Sequence, residues 1–184
     1  MPDNSAPVDK QNQSQVHLIL GGARSGKSRY GEQLVAQTGK KVVYLATASS
    51  HDDEMAKRIE QHQQDRPSSW PTIECPVQLP QAIEKHGQQQ NALLVDCLTL
   101  WLMNIMMESK DLAAAVDELL LSLKNCQAQV FLVSNEITMG VVPMGELSRN
   151  YVDELGRLHQ RIASQANNVT LMVAGIPMVV KAES

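Results

Sequence analysis

Aromatic side chains are scarce in this sequence. They make up 3% of its 184 residues, with a single Phe, while 43% of the chain is hydrophobic. A core built from this composition is aliphatic, with nine Met to fill irregular gaps. Cysteine is sparse too. Cys75, Cys97 and Cys126 are odd in number and far apart and form no C-x-x-C pair, which argues against a disulfide framework or a zinc site. A reducing cytoplasm is the expected setting. There is no excess of positive charge, and a net charge of −4 leaves no electrostatic footprint for nucleic acid. The longest apolar region, 92–107, is interrupted by Asp96, Thr99 and Asn104, so a membrane helix is rejected. Residues 1–15 are polar and lack the apolar stretch of a signal peptide. They are expected to form a disordered tail ahead of one domain over 16–184.

What the sequence does contain begins with Gly21-Gly22-Ala23-Arg24-Ser25-Gly26-Lys27-Ser28, which fits G-x-x-x-x-G-K-[ST]. An apolar run at 16–20 precedes it, and a helical pattern with Leu34 and Val35 follows. That strand–turn–helix context is the one in which the motif binds nucleotide phosphate. Glycines let successive backbone N–H groups curl around an anion. The helix N-terminus adds its unpaired N–H groups and positive dipole end. Lys27 is placed to reach the β- and γ-phosphates, and the Ser28 hydroxyl to ligate Mg2+.

Apolar runs at 16–20, 42–47, 92–96, 130–134 and 169–174 read as buried strands rich in Val, Leu and Ile. They do not alternate cleanly, which suits a parallel sheet covered on both faces. Helical patterns at 29–37, 52–64, 111–125 and 150–165 separate them, and a further helix is expected after Asp96. The βαβ alternation predicts a three-layer α/β fold with a mostly parallel sheet. Residues 66–90 are the least regular and read as short strands mixed with loops, and 179–181 as a short edge strand.

Asp96 closes an apolar strand, where ligands bind in open α/β sheets. It is suited to hold Mg2+ opposite Ser28, and its bland alternative is a cap for the next helix. In the predicted helix 52–64, His62 lies on the inward stripe with Met55 and Ile59. A neutral imidazole there is a competent nucleophile. Spacing alone equally allows a histidine that only satisfies carbonyls in the last turn. Asn135-Glu136 follows the fourth strand and either positions a substrate or water or makes a turn. Arg149, Arg157 and Arg161 on the last helix suggest a solvated face, although an arginine there can also approach phosphate from a neighbouring subunit.

Taken in order, these motifs resemble the bifunctional adenosylcobinamide kinase/adenosylcobinamide-phosphate guanylyltransferase family of cobalamin synthesis. The matches include residues 21–28, Tyr44-Leu45-Ala46-Thr47, Asp53-Glu54-Met55, Arg58-Ile59, His62, Arg66-Pro67, and Trp70 with Glu74. They continue through Leu94-Val95-Asp96-Cys97-Leu98-Thr99, Asn135-Glu136, Val142-Pro143 and Gly156-Arg157. The resemblance implies a RecA-like P-loop fold, a homotrimer and two reactions. ATP or GTP phosphorylates adenosylcobinamide. GTP then guanylylates a histidine, which passes GMP to adenosylcobinamide phosphate to give adenosylcobinamide-GDP.

The family's nucleophilic histidine falls on His62. Its nucleotide contacts fall on Gly21, Gly22, Ala23, Arg24, Ser25, Gly26, Lys27 and Ser28, on Ala46, Thr47 and Ala48, on Gln63, Gln64, Asp65 and Arg66, and on Glu74 and Asp96. Two departures from the family pattern stand out: Thr138 replaces a glycine after Asn135-Glu136, and His159 stands where asparagine is common. A simple P-loop kinase with a structural His62, or a slow nucleotide switch, are the competing readings. No N-K-x-D guanine signature supports the switch.

Overall fold

The computed structural model describes residues 15–48, 67 and 69–183. The helix expected over 52–64, and the tail expected over 1–15 apart from its last residue, lie outside the described residues. In chain order the elements are β1 (Gln15–Gly21), α1 (Lys27–Gln37), β2 (Lys41–Ala46), β3 (Thr72–Glu74), α2 (Leu79–His86), β4 (Asn91–Asp96), α3 (Leu98–Met107), α4 (Leu112–Asn125), β5 (Gln129–Asn135), α5 (Glu146–Gln165), β6 (Asn168–Val173) and β7 (Ile176–Lys181). The strands form one sheet in the order β3-β2-β4-β5-β1-β6-β7, parallel except for β7, which runs antiparallel to β6.

The apolar strands sort their side chains onto two faces with a period of two. Val16 and Leu18 of β1, with Leu93 and Val95 of β4, face a core completed by Ile83 of α2, Leu102 of α3, Leu119 of α4 and Leu155 of α5. Ile19, Ala92 and Leu94 face the opposite side, where Val35 of α1 packs. Helices on both faces make the three-layer α/β arrangement expected from the βαβ pattern. The scarce aromatics leave one prominent exception: Trp101 is fully buried, and its indole N–H donates to the Val77 carbonyl at 3.0 Å. That bond removes the cost of burying a polar atom in an aliphatic core.

Gly31 brings α1 close to the sheet. A Cβ there would lie 3.0 Å from Leu94 Cδ1 and 3.3 Å from Val133 Cγ2. The helix that follows the glycine loop is thereby seated directly over β4 and β5.

Three expected boundaries change. The irregular stretch holds β3 but also the helix α2, which buries Leu79, Pro80, Ala82 and Ile83. Pro80 lies in its first turn, where it costs no helical hydrogen bond and so is compatible with the helix. The last strand covers 176–181 rather than 179–181, and it accommodates Pro177 because it is an edge strand. α5 begins at Glu146, four residues before the expected start.

Candidate active site

The glycine loop leaves β1 at Gly21 and enters α1 at Lys27. Gly26, the residue before the helix, has φ 92, a left-handed conformation that glycine adopts without strain. Ser25 N donates to the Gly22 carbonyl at 3.3 Å, and Lys27 Nζ donates to the same carbonyl at 2.6 Å. The lysine thus arches over its own loop. It is only 7% exposed. Burial lowers its pKa from the ordinary lysine value, and the neighbouring Asp96 charge opposes that shift. The same effect places Asp96 within electrostatic reach of the loop.

Parallel register aligns the strand ends. Ala46 pairs with Glu74 on one side and with Asp96 on the other, Asp96 pairs with Val133, and Asn135 pairs with Gly21. Glu74, Ala46, Asp96 and the phosphate loop therefore share the carboxyl end of the sheet, where α/β folds bind ligands. Glu74 on β3 stands four strand spacings from β1, about 19 Å along the sheet. Asp96 is not spent on capping. Cys97 is the N-cap of α3, and no side chain caps that helix.

Thr47 ties β2 to β4: its hydroxyl donates to the Cys97 carbonyl and accepts from Cys97 N, both at 2.7 Å. Asn104 Nδ2 adds a bond to the Thr47 carbonyl at 2.9 Å. Thr47 is fully buried and so acts on the ligand end of the sheet by fixing it. Burial, with the Asp96 charge, pushes the Cys97 thiol up to about 11, which keeps it protonated and inert.

Asn135 ends β5, and Glu136 N donates to the Gly21 carbonyl at 2.9 Å, so this pair abuts the phosphate loop. The hairpin turn between β6 and β7 also touches it, through Gly175 N and the Ser25 carbonyl at 3.1 Å. The three arginines of the last helix are at the surface. Arg149 donates to the Pro143 and Met144 carbonyls, Arg157 pairs with Glu154, and Arg161 pairs with Asp117. Ser28 and Asp96 supply hard oxygen donors of the type Mg2+ takes. Among the described residues no group of three His, Cys, Asp or Glu could hold a metal. His62, Gln63, Gln64, Asp65 and Arg66 lie outside the described residues.

Sequence reading passed over two buried hydroxyls beside the site. Thr99 Oγ1 accepts from Asn135 N at 2.7 Å and lies 3.2 Å from Ser134 Oγ. Both sit inside apolar runs, which is the signal that could have flagged them. A cleft of about 400 Å³ lined by Lys41, His86 and Asn91 lies at the amino end of the sheet and takes no part in this arrangement.

Comparison with known proteins identifies the family. Residues 17–180 match the family described as cobinamide kinase / cobinamide phosphate guanyltransferase. The bifunctional adenosylcobalamin biosynthesis protein CobP of Pseudomonas aeruginosa is 49% identical over 168 residues, covering 90% of this chain and 97% of that one. CobU of Salmonella typhimurium is 39% identical over 179 residues, covering 89% and 98%. Among solved structures, the flagellar accessory protein FlaH of Methanocaldococcus jannaschii aligns with a TM-score of 0.54 at 12% identity, covering 94% of this chain and 80% of that one. The RadB recombinase aligns with a TM-score of 0.51 at 16% identity, covering 87% and 74%. These structural likenesses establish the P-loop NTPase fold of RecA type, and no more. The sequence matches go further: the chain belongs to the cobinamide kinase / cobinamide phosphate guanyltransferase family.

Proposed function

We propose that this chain performs both reactions of its family at one nucleotide site, with His62 as the group that carries GMP. The observation that supports a shared site is the placement of the phosphate loop, Asp96, Ala46 and Glu74 along one end of the sheet.

In the kinase step, the aminopropanol hydroxyl of adenosylcobinamide attacks the γ-phosphorus of ATP or GTP. The new P–O bond forms as the bond to the β,γ-bridging oxygen breaks, and the nucleoside diphosphate leaves with that electron pair. Lys27 and the loop amides stabilise the charge on the phosphates, a contribution that matters more because the lysine is buried. In the second step, a His62 ring nitrogen attacks the α-phosphorus of GTP and pyrophosphate leaves. A phosphate oxygen of adenosylcobinamide phosphate then displaces the histidine and forms adenosylcobinamide-GDP. Ser28 and Asp96 would hold Mg2+, which supplies charge neutralisation when bound.

Glu74 is too far along the sheet to touch a phosphate held at the loop. It suits the distal end of the nucleotide, where a carboxylate accepts from the N1–H and N2–H₂ edge of guanine. Mass analysis of corrinoid products formed from cobinamide and GTP tests this reading. Both the phosphate and the GDP ester should appear, and Glu74→Gln should lose preference for GTP over ATP. Formation of the phosphate alone would reduce the enzyme to a simple kinase.

We further read the chain as one domain over 16–184 that works as a cytoplasmic homotrimer. No helix among the described residues is long and apolar enough to cross a membrane. Exposed Ile176, Val179 and Val180 on β7, with Met139, Val141 and Met144 in the loop before α5, offer apolar area for partner copies.

A further inference from the structure

We propose that Glu136 is a positioning residue of the phosphate site, locked by Thr138 on one carboxylate oxygen and by His159 on the other. The inference rests on the transfer chemistry proposed above and extends it to residues that reading leaves idle.

Glu136 joins three parts of the molecule. Its backbone N–H holds the Gly21 carbonyl at the mouth of the phosphate loop. Its Oε1 accepts from Thr138 N at 2.7 Å and Thr138 Oγ1 at 2.5 Å, which closes the turn after β5. Its Oε2 faces His159 Nδ1 of α5 at 3.6 Å. Both side chains of that pair are less than a tenth exposed. The methyl of Thr138 lies over α5 as well, because a Cβ on Gly156 would come within 3.4 Å of it. Thr138 and His159 therefore converge on one carboxylate.

Proton bookkeeping fixes the direction of the network. Asn135 N–H can only donate, and it donates to Thr99 Oγ1. Thr99 Oγ1 contacts Ser134 Oγ at 3.2 Å, and Ser134 Oγ contacts His159 Nε2 at 2.8 Å. A carboxylate can only accept, so we assign the His159 proton to Nδ1, facing Glu136, with Nε2 accepting from Ser134. Every hydroxyl then donates in one sense, from Asn135 round to Glu136. Among the described residues His159 Nδ1 is buried without a hydrogen-bond partner, and the group it faces, at 3.6 Å, is Glu136 Oε2. Burial lowers the pKa of His159 and favours the neutral ring, against the pull of Glu136. The ring is thus a directional strut, and through Glu136 it sets the exit of β5 against the phosphate loop.

Two amide substitutions separate positioning from packing. The side-chain nitrogen of His159→Asn can take the place of Nδ1 and still face Glu136. That of His159→Gln takes the place of Nε2, where it can only donate to Ser134 Oγ, and leaves Glu136 Oε2 unmatched. His159→Ala removes both. Each variant is compared with wild type by amide hydrogen exchange of the 135–145 segment, and by kcat and KM for cobinamide phosphorylation. Wild-type exchange and kcat within about threefold are expected for Asn. Faster exchange and a kcat about tenfold lower, with nucleotide KM little changed, are expected for Gln, within what misplacement of reacting groups costs. In a Glu136→Gln background the Asn and Gln variants should no longer differ. A Gln variant that equals or outperforms the Asn variant in both readouts would overturn the proposal. So would wild-type exchange in all three variants. A wild type that fails to phosphorylate cobinamide would refute the underlying reaction, while the exchange comparison would still decide the role of His159.

Discussion

Lys27 illustrates how much a single position is asked to do. At 7% exposure it has lost most of its hydration, and its ammonium is held by one carbonyl of its own loop. A buried cation with so few partners among the described residues is a cost in the free protein, which a bound phosphate offsets. Lys27→Met should therefore separate activity from stability. We expect phosphorylation of cobinamide to fall by about 10²- to 10³-fold, the range for losing one preorganised charge donor. The urea midpoint should stay level or rise. A large loss of stability in that variant would mean that the lysine holds the loop together rather than serving the ligand.

Elements explain which parts of the fold were legible in the sequence. The five central strands were visible because runs such as Ala92-Leu93-Leu94-Val95 are buried on both faces and carry no polar alternation. α2 was not visible. It is short, it contains Pro80, and its inward face is defined by packing against α4 rather than by a long periodic pattern. At the site, the phosphate loop declares itself through local backbone requirements, whereas the Thr99–Ser134–His159–Glu136 network is made of fold-dependent contacts between residues up to 35 positions apart, as between Thr99 and Ser134. Asp96 was left between a site role and a cap, and the N-cap position of α3 is taken by Cys97 without a side-chain cap bond.

Titration adds a test at the same scale. His17 in β1 contacts Thr170 Oγ1 in β6 at 2.8 Å, and burial lowers its pKa below 6.5, as it does for His159. The unfolded chain then binds more protons than the fold just below 6.5, so stability must fall on acidification through that window. The melting temperature should drop between about pH 7 and pH 5, and His17→Gln should shrink that drop. An unchanged drop would show that His17 stays neutral, or is equally protonated, in both states.

For the whole molecule, the distribution of apolar surface is the feature that a single chain leaves unexplained. β7 is exposed along its length and its turn touches the phosphate loop at Ser25. If partner copies cover it in the proposed trimer, Ile176→Asp with Val180→Asp should lower the sedimenting mass towards that of a monomer. It should also slow turnover, through the loop contact. A variant that remains trimeric would place the interface elsewhere.

The central claim is that one chain both transfers phosphate and carries GMP on His62. Purified protein incubated with Mg2+ and GTP labelled at the α-phosphorus, then denatured, tests it most directly. The account predicts protein-bound label that is labile to acid, stable to alkali and missing from His62→Ala. Folded, GTP-binding wild-type protein that acquires no label would contradict it and leave a kinase in which His62 is structural.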